Sequence, residues 1–210
     1  MTRFVLPKLY PITDARLSGL THALQVERLL SGGATLIQLR EKLDSPRDFY
    51  NDAEEALRLA HSRGARVLIN DRVDLALALR ADGVHLGQDD LPVEAARKLL
   101  GSEAIIGYST HNVEQAIEAA HLPIDYLAVG PIYATKTKEN PDAVVGLEGL
   151  RRVRRAVGGL PLVAIGGITT QTAREVLHAG ADSVAVISAL LASPAEIAER
   201  MREFLELLSS

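Results

Sequence analysis

The sequence predicts an α/β fold, a single (β/α)8 TIM barrel over residues 1–210, and three observations carry that expectation. Eight short apolar runs alternate with segments of helical pattern. Several runs, such as Val67-Leu68-Ile69 and Leu162-Val163-Ala164-Ile165, are apolar without interruption, which suits strands buried on both faces of a parallel sheet. The length of 210 residues fits eight βα units at the lower end of the barrel size range. A doubly wound open sheet also alternates, but eight strands and the lack of a G-x-G-x-x-G after the first strand favour the barrel.

The strand runs are residues 9–13, 35–41, 66–71, 83–87, 105–109, 126–131, 161–167 and 183–188. Leu20, Ala23, Val26 and Leu30 form the first helical stripe. Ser45-Pro46-Arg47-Asp48 reads as an N-cap, a proline at the first helical position and an acid at the third. Phe49, Ala53, Ala56 and Ala60 then follow on one helical face. Later stripes are Val113, Ala116, Ile117, Ala120 and Leu147, Leu150, Arg154, Val157, the arginine being a flaw. Ser193-Pro194-Ala195-Glu196 repeats the earlier start, ahead of Ile197, Met201, Phe204 and Leu208. Gly33-Ala34, Gly64-Ala65 and Gly180-Ala181 each precede a strand, where glycine suits the left-handed residue that ends a helix. No linker or low-complexity stretch divides the chain, so one domain is expected.

Composition narrows the function classes. Hydrophobic residues make up 47% and the formal charge is −4, which argues against disorder. Cysteine is absent, which excludes disulfide and thiolate chemistry. A mildly acidic chain with 4% aromatics is a poor nucleic-acid binder. No apolar run reaches the length of a membrane span, and Pro7 interrupts the opening residues before a signal core can form. The cytoplasm is the expected location. A homo-oligomer is compatible with the sequence but not argued by it.

In such a barrel, function sits at the C-terminal ends of the strands. Strand 2 ends Gln38-Leu39-Arg40-Glu41-Lys42, and alternation puts Gln38, Arg40 and Lys42 on one face. Arg and Lys there suit a polyanion, the alternative being a solvated basic strand end in a salt bridge. Strand 3 ends Asn70-Asp71, and strand 4 runs into Gly87-Gln88-Asp89-Asp90. Asp71 and Asp90 could share Mg²⁺ with substrate phosphates, or cap the helices that follow them. His85, within strand 4, reads more readily as a core residue than as a catalyst. Ser109 is a candidate phosphate donor or an N-cap. After strand 6, residues 130–141 form the longest irregular segment, with Thr135, Lys136, Thr137 and Lys138 able to wrap an anion. Strand 7 ends in Gly166-Gly167 and strand 8 in Ile187-Ser188, the position where barrels often bind phosphate. The rim therefore suggests two anion sites, and so the joining of two phosphorylated small molecules.

The motifs 9–13, 38–42, 69–71, 83–90, 130–138 and 164–168 resemble, in order and over most of the chain, those of the thiamine phosphate synthase family. The resemblance implies a transferase of thiamine biosynthesis. It would condense 4-amino-2-methyl-5-hydroxymethylpyrimidine diphosphate with 4-methyl-5-(2-phosphoethyl)thiazole, or its 2-carboxy form. Thiamine phosphate and pyrophosphate would be the products. By position, residues 38–42, Asn70, Ser109 and Lys138 would hold the pyrimidine diphosphate, with Arg40, Lys42, Ser109 and Lys138 assisting catalysis. Thr135, Lys136, Thr137, Gly167, Ile187 and Ser188 would hold the thiazole phosphate. Asp71 and Asp90 would hold Mg²⁺. The implied step is departure of diphosphate to leave a pyrimidine carbocation, which the thiazole nitrogen traps. That step asks for electrostatic stabilisation and exclusion of water, and no strong general base. One departure from the family pattern is Ala134, where many members have proline. Rival readings are a thiazole tautomerase, a non-catalytic thiazole-phosphate-binding barrel and a phosphosugar isomerase or epimerase. The basic, acidic and Thr-x-Thr-Lys sets argue against the first two, and the lack of an acid–base pair against the third.

Overall fold

The computed structural model describes residues 5–135, 137 and 142–209. Its strands are β1 (Leu9–Pro11), β2 (Leu36–Leu39), β3 (Arg66–Asn70), β4 (Gly83–Leu86), β5 (Ile105–Thr110), β6 (Tyr126–Val129), β7 (Leu162–Ile165) and β8 (Ser183–Val186). The helices are α1 (Ala15–Ser18), α2 (His22–Ser31), α3 (Pro46–Ser62), α4 (Val73–Leu79), α5 (Val93–Leu100), α6 (Val113–Ala119), α7 (Gly146–Val157), α8 (Ala173–His178), α9 (Ser188–Leu191) and α10 (Ile197–Ser209). All pairings are parallel, in the order β1-β8-β7-β6-β5-β4-β3-β2. A parallel bridge between Ile12 and Gln38 joins the two outer strands, and the Thr13 N–H donates to the Gln38 carbonyl at 2.8 Å. The expected (β/α)8 barrel is thus the observed one. The strands stop short of their expected C-terminal ends, except β5, which runs on to Thr110. The ladders end where strands leave the barrel, so most of the polar rim belongs to loops.

Alternation sorts the strand residues into two layers. Tyr10, Leu36, Leu68, Ile105, Tyr126, Ala128, Val163 and Ala185 face inward and form one cluster. Val67, Ile69, Val84, Leu86, Leu127 and Val184 face outward and join the helices in the larger core. Each such side chain contributes about 1.5–3 kcal/mol by burial. Gly107 faces inward on β5, and a Cβ there would lie 2.0 Å from Tyr126 Cζ. The missing side chain is what lets the Tyr126 ring cross the barrel.

The helix starts are mostly those expected. Ser45 accepts from the Asp48 N–H, Pro46 opens α3, and Phe49, Ala53, Ala56, Leu57 and Ala60 are buried. Gly33, Gly64 and Gly180 hold positive φ ahead of their strands. Three expectations are corrected. Residues 194–196 form a 3-10 turn without a Ser193 cap bond, and α10 begins at Ile197. In α6 the buried pair is Ala116 and Ala119, while Ile117 is 46% exposed, because two helical turns at spacing three aim at the barrel. Leu20 precedes α2 and is no part of its stripe.

At the opposite end, three aspartates clasp the base. Asp82, Asp125 and Asp182 immediately precede or lead into β4, β6 and β8, and each carboxylate accepts the N–H of the preceding strand, Val67, Ile106 and Leu162, at 2.8 Å. Each also meets a base from the helix that leads into that preceding strand: His61 from α3, Arg97 from α5 and Arg154 from α7. Arg154, a flaw in its stripe by pattern alone, also donates to the carbonyls of Gly180 and Leu160.

Gly107→Ala should force Tyr126 out of its place and cost about 1–3 kcal/mol by overpacking. A fall in the urea midpoint with an unchanged m-value would show it; an unchanged midpoint would mean that the Tyr126 ring has room to spare.

Candidate active site

A cavity of about 600 Å³ opens at the C-terminal ends of the strands. Its wall takes Gln38, Arg40, Glu41 and Lys42 from the exit of β2, Asn70 from β3, and Ser109 from β5. The far side takes Thr135 and Thr137 after β6, Gly167 after β7, and Ile187 and Ser188 after β8. The two groups of residues that the sequence set on opposite sides of the rim therefore share one cavity. Lys136 and Lys138 lie outside the described residues.

Two of the residues in the stretch 38–42 turn their side chains to other work. Leu39 is fully buried in the layer between sheet and helices, since alternation turns it away from the cavity that Gln38 and Arg40 face. Glu41 reaches the wall, but its carboxylate holds the chain that follows. It accepts from the N–H groups of Lys42, Leu43 and Asp44 and meets His22 Nε2 at 3.2 Å. Burial pushes the Glu41 carboxyl up, yet these donors outweigh it and leave the group below its ordinary value. As an ionised acceptor the carboxylate fixes the loop that carries Lys42.

The basic side is braced by groups not singled out in the sequence. Arg40 Nη1 donates to Asp14 Oδ2 at 2.8 Å, while Asp14 Oδ1 caps α1 through the Leu17 N–H. A guanidinium has five donors, so one anchored to Asp14 keeps others for a ligand. His22 is buried between Thr13 Oγ1, at 2.7 Å, and Glu41. It packs edge-on against Phe49. His111 Nδ1 donates to the Gly130 carbonyl at 2.7 Å.

Asp71 and Asp90 sit at the rim beside this basic group. Lys42 Nζ pairs with Asp71 Oδ2. Asp71 has a φ of +60°, a strained conformation for a non-glycine residue, and such strain collects at functional sites. Neither acid caps a helix by its side chain: α4 and α5 have no such bond. Asp90 instead accepts the Gly87 N–H at 2.7 Å. Burial, and then the neighbouring Asp71 carboxyl, raise the Asp90 carboxyl above its ordinary value, against the pull of Gly87 and Lys42. Two hard oxygen donors pressed together fit a divalent cation that completes its shell with water and phosphate. No cluster of three or more His, Asp or Glu ligands occurs among the described residues.

On the opposite wall, Gly167 has φ +65°, and a Cβ there would lie 2.6 Å from the Ala134 carbonyl. Glycine lets the exit of β7 press against the chain leaving β6, where the Tyr133 N–H donates to Gly166 O at 3.0 Å. Thr137 N–H donates to Thr135 Oγ1 at 3.3 Å, so the two threonines hold each other despite Ala134.

The cavity floor is polar and continuous. His85 stacks on Tyr126, places Nδ1 2.8 Å from Tyr126 Oη, and places Nε2 2.8 Å from Ser109 Oγ. Ser109 therefore supports a cavity contact rather than a helix, and Asn112 is the cap of α6. Tyr126 Oη meets Tyr10 Oη at 3.1 Å, and Gln38 Nε2 donates to Tyr10 Oη at 2.9 Å. Burial raises both phenols above their ordinary range and pushes His85 down to about 4. His85 is thus a core residue, as the sequence suggested, but one that holds Ser109.

Comparison with known proteins fits this arrangement. The family model described as thiamine monophosphate synthase matches residues 9–190. The chain belongs to this family. The thiamine-phosphate synthase of Koribacter versatilis is 50% identical, over 98% of this chain and 97% of its own length. That of Chloroflexus aurantiacus is 48% identical, over 89% and 86% respectively. A solved thiamine phosphate pyrophosphorylase from Pyrococcus furiosus superposes with a TM-score of 0.86 at 40% identity, covering 96% of this chain and 95% of that one. The family's barrel thus carries its rim motifs here around one cavity.

Folding lowers His85 from an ordinary value near 6.5 to about 4, so the folded state disfavours its proton. The stability this brings is complete above about pH 6.5 and is lost as pH falls through about 4, up to about 3 kcal/mol. Urea unfolding of wild type and His85→Asn between pH 7 and 4 checks this. The wild type should lose the extra stability over that window, and equal slopes would refute the assignment.

Proposed function

We propose that the chain is a thiamine-phosphate synthase that joins an aminopyrimidine diphosphate to a thiazole phosphate and releases pyrophosphate. The observation that carries this reading is the single cavity with a basic, carboxylate-flanked wall facing a Gly–Ser–Thr wall. The family's named relatives support the same reading. In this account Arg40, Lys42, Asn70 and Ser109 hold the diphosphate, and Lys138 joins them. Thr135, Thr137, Gly167, Ile187 and Ser188 hold the thiazole phosphate, with Lys136 nearby in sequence.

The bond between the pyrimidine methylene and its diphosphate oxygen breaks, and the electron pair leaves with oxygen. Arg40 and Lys42 meet that growing negative charge, a role that the Asp14 brace prepares by fixing the guanidinium before substrate arrives. Mg²⁺ held by Asp71 and Asp90 would neutralise part of the same charge. The thiazole nitrogen lone pair then forms the new C–N bond. Holding both molecules in one cavity replaces a bimolecular encounter by an oriented one. No group must take a proton in the bond exchange, in keeping with a His85 held neutral between Tyr126 and Ser109. A tautomerase would have no use for the Asp71–Asp90 pair or the Lys42 beside it, which puts that reading behind. A cytoplasmic location is proposed with the activity, because charged phosphorylated substrates do not cross a bilayer unaided. Among the described residues, no helix is long and apolar enough to cross a membrane.

Purified protein with Mg²⁺ and both substrates should yield thiamine phosphate, read as fluorescent thiochrome, and EDTA should reduce the rate to background. Asp71→Ala should remove the metal-dependent rate while circular dichroism is unchanged; an unchanged rate would remove the metal assignment. Arg40→Ala should weaken pyrimidine diphosphate binding roughly 10- to 100-fold, as loss of a charged hydrogen bond does. Thiazole phosphate binding should hardly change, and Ser188→Ala should show the opposite preference. Equal losses for both ligands would contradict the two-walled map.

A further inference from the structure

Five polar side chains run as one chain beneath the cavity. Gln38 on β2 meets Tyr10 on β1 at 2.9 Å, and Tyr10 meets Tyr126 on β6 at 3.1 Å. Tyr126 meets His85 on β4, and His85 meets Ser109 on β5, each at 2.8 Å. Gln38 and Ser109 both line the cavity, so the chain leaves the wall at one point and returns at another. Tyr10 and Tyr126 are almost wholly buried.

Each hydroxyl has one proton, and a neutral imidazole has one N–H. A link that accepts on one side therefore donates on the other, and direction passes along the chain. Two arrangements use every proton. In the first, Gln38 donates to Tyr10, Tyr10 to Tyr126, Tyr126 to His85 Nδ1, and His85 Nε2–H to Ser109. Gln38 then keeps its carbonyl oxygen for the cavity, and Ser109 keeps its proton to donate. In the second, the amide is turned over, every bond runs in reverse, Gln38 offers N–H groups and Ser109 offers lone pairs. A mixture sets two protons or two lone pairs against each other inside the barrel, where an unmade bond is costly.

We infer that Tyr10, Tyr126 and His85 are positioning residues that lock the hydrogen-bonding polarity of Gln38 to that of Ser109, so that an anionic group on Ser109 makes Gln38 an acceptor for an amino group. This rests on the synthase reading, in which an aminopyrimidine diphosphate occupies the cavity. It explains how the amino ring is told from its oxo counterpart, which would set oxygen against oxygen at Gln38. Selectivity at one end of the chain then depends on a hydroxyl at the other end.

Calorimetric titration tests it with the 4-amino pyrimidine diphosphate, its 4-oxo analogue and inorganic pyrophosphate, all with Mg²⁺. Wild type should prefer the amino compound by roughly 100-fold, the scale on which a mismatched buried hydrogen bond discriminates. Tyr10→Phe and Tyr126→Phe each remove one oxygen from the chain. They should bring that preference below about tenfold and leave pyrophosphate affinity within about twofold. Ser109→Ala should lower the same preference from the far end, a result that a merely structural role would not give. If Tyr10→Phe or Tyr126→Phe, together with Ser109→Ala, keeps the full preference, polarity is set locally and the inference falls while the synthase reading stands. If wild type binds neither pyrimidine diphosphate, both fall.

Discussion

Period-two alternation in a closed parallel sheet decides where every strand side chain of this protein goes. An inward residue has no helix to pack on and no water to reach unless it lies near the rim. Low in the barrel the inward positions are accordingly Leu36, Leu68, Ile105 and Val163. Higher up they are Gln38, Asn70, His85 and Ser109, and these become the floor and wall of the cavity. Tyr10 and Tyr126 stand between the two zones, with apolar rings below and hydroxyls turned to the polar layer. The same rule sends Leu39 outward from between two cavity residues. A buried polar group must find a partner or lose stability, which is why the interior hydroxyls and imidazole form a chain rather than stand alone.

The fold was legible because its signals are local. An uninterrupted run such as Val67-Leu68-Ile69 or a start such as Ser45-Pro46-Arg47-Asp48 contains its own evidence. Most of the cavity was legible too, because barrel topology alone places strand ends together, whatever their distance in sequence. Reading the motif 38–42 as a block, however, hides how its side chains part, Leu39 toward the helices and Glu41 onto its own loop. Alternation sends the leucine side chain outward, but nothing in the order of residues shows that the Glu41 carboxylate would turn back on its own loop.

Other features depend on distance across the barrel and leave no mark in the chain. Tyr10 and Tyr126 are 116 residues apart, and each alone reads as an ordinary apolar residue. The pairing of Asp14 with Arg40 joins two loops whose approach follows only from closure at the Ile12–Gln38 bridge. The short α6 misled for a different reason: in seven residues, two stripes one position apart are equally good patterns, and only the curvature of the barrel selects Ala119 over Ala120.

The aspartate clasps at the base divide the barrel into pieces. Asp82, Asp125 and Asp182 reach back only 15, 19 and 20 residues to the strands they hold. Each ties β3 to β4, β5 to β6, or β7 to β8, and each borrows a base from the helix that leads into the earlier strand of the pair. Contacts of such short span form early and with little loss of chain entropy. During synthesis each of these three units, with the helix that leads into it, can therefore lock its base as it emerges. The join of β1 to β8, which spans almost the whole chain, completes the barrel last. The cavity, whose walls are drawn from all the pieces at once, comes into being only with that final join.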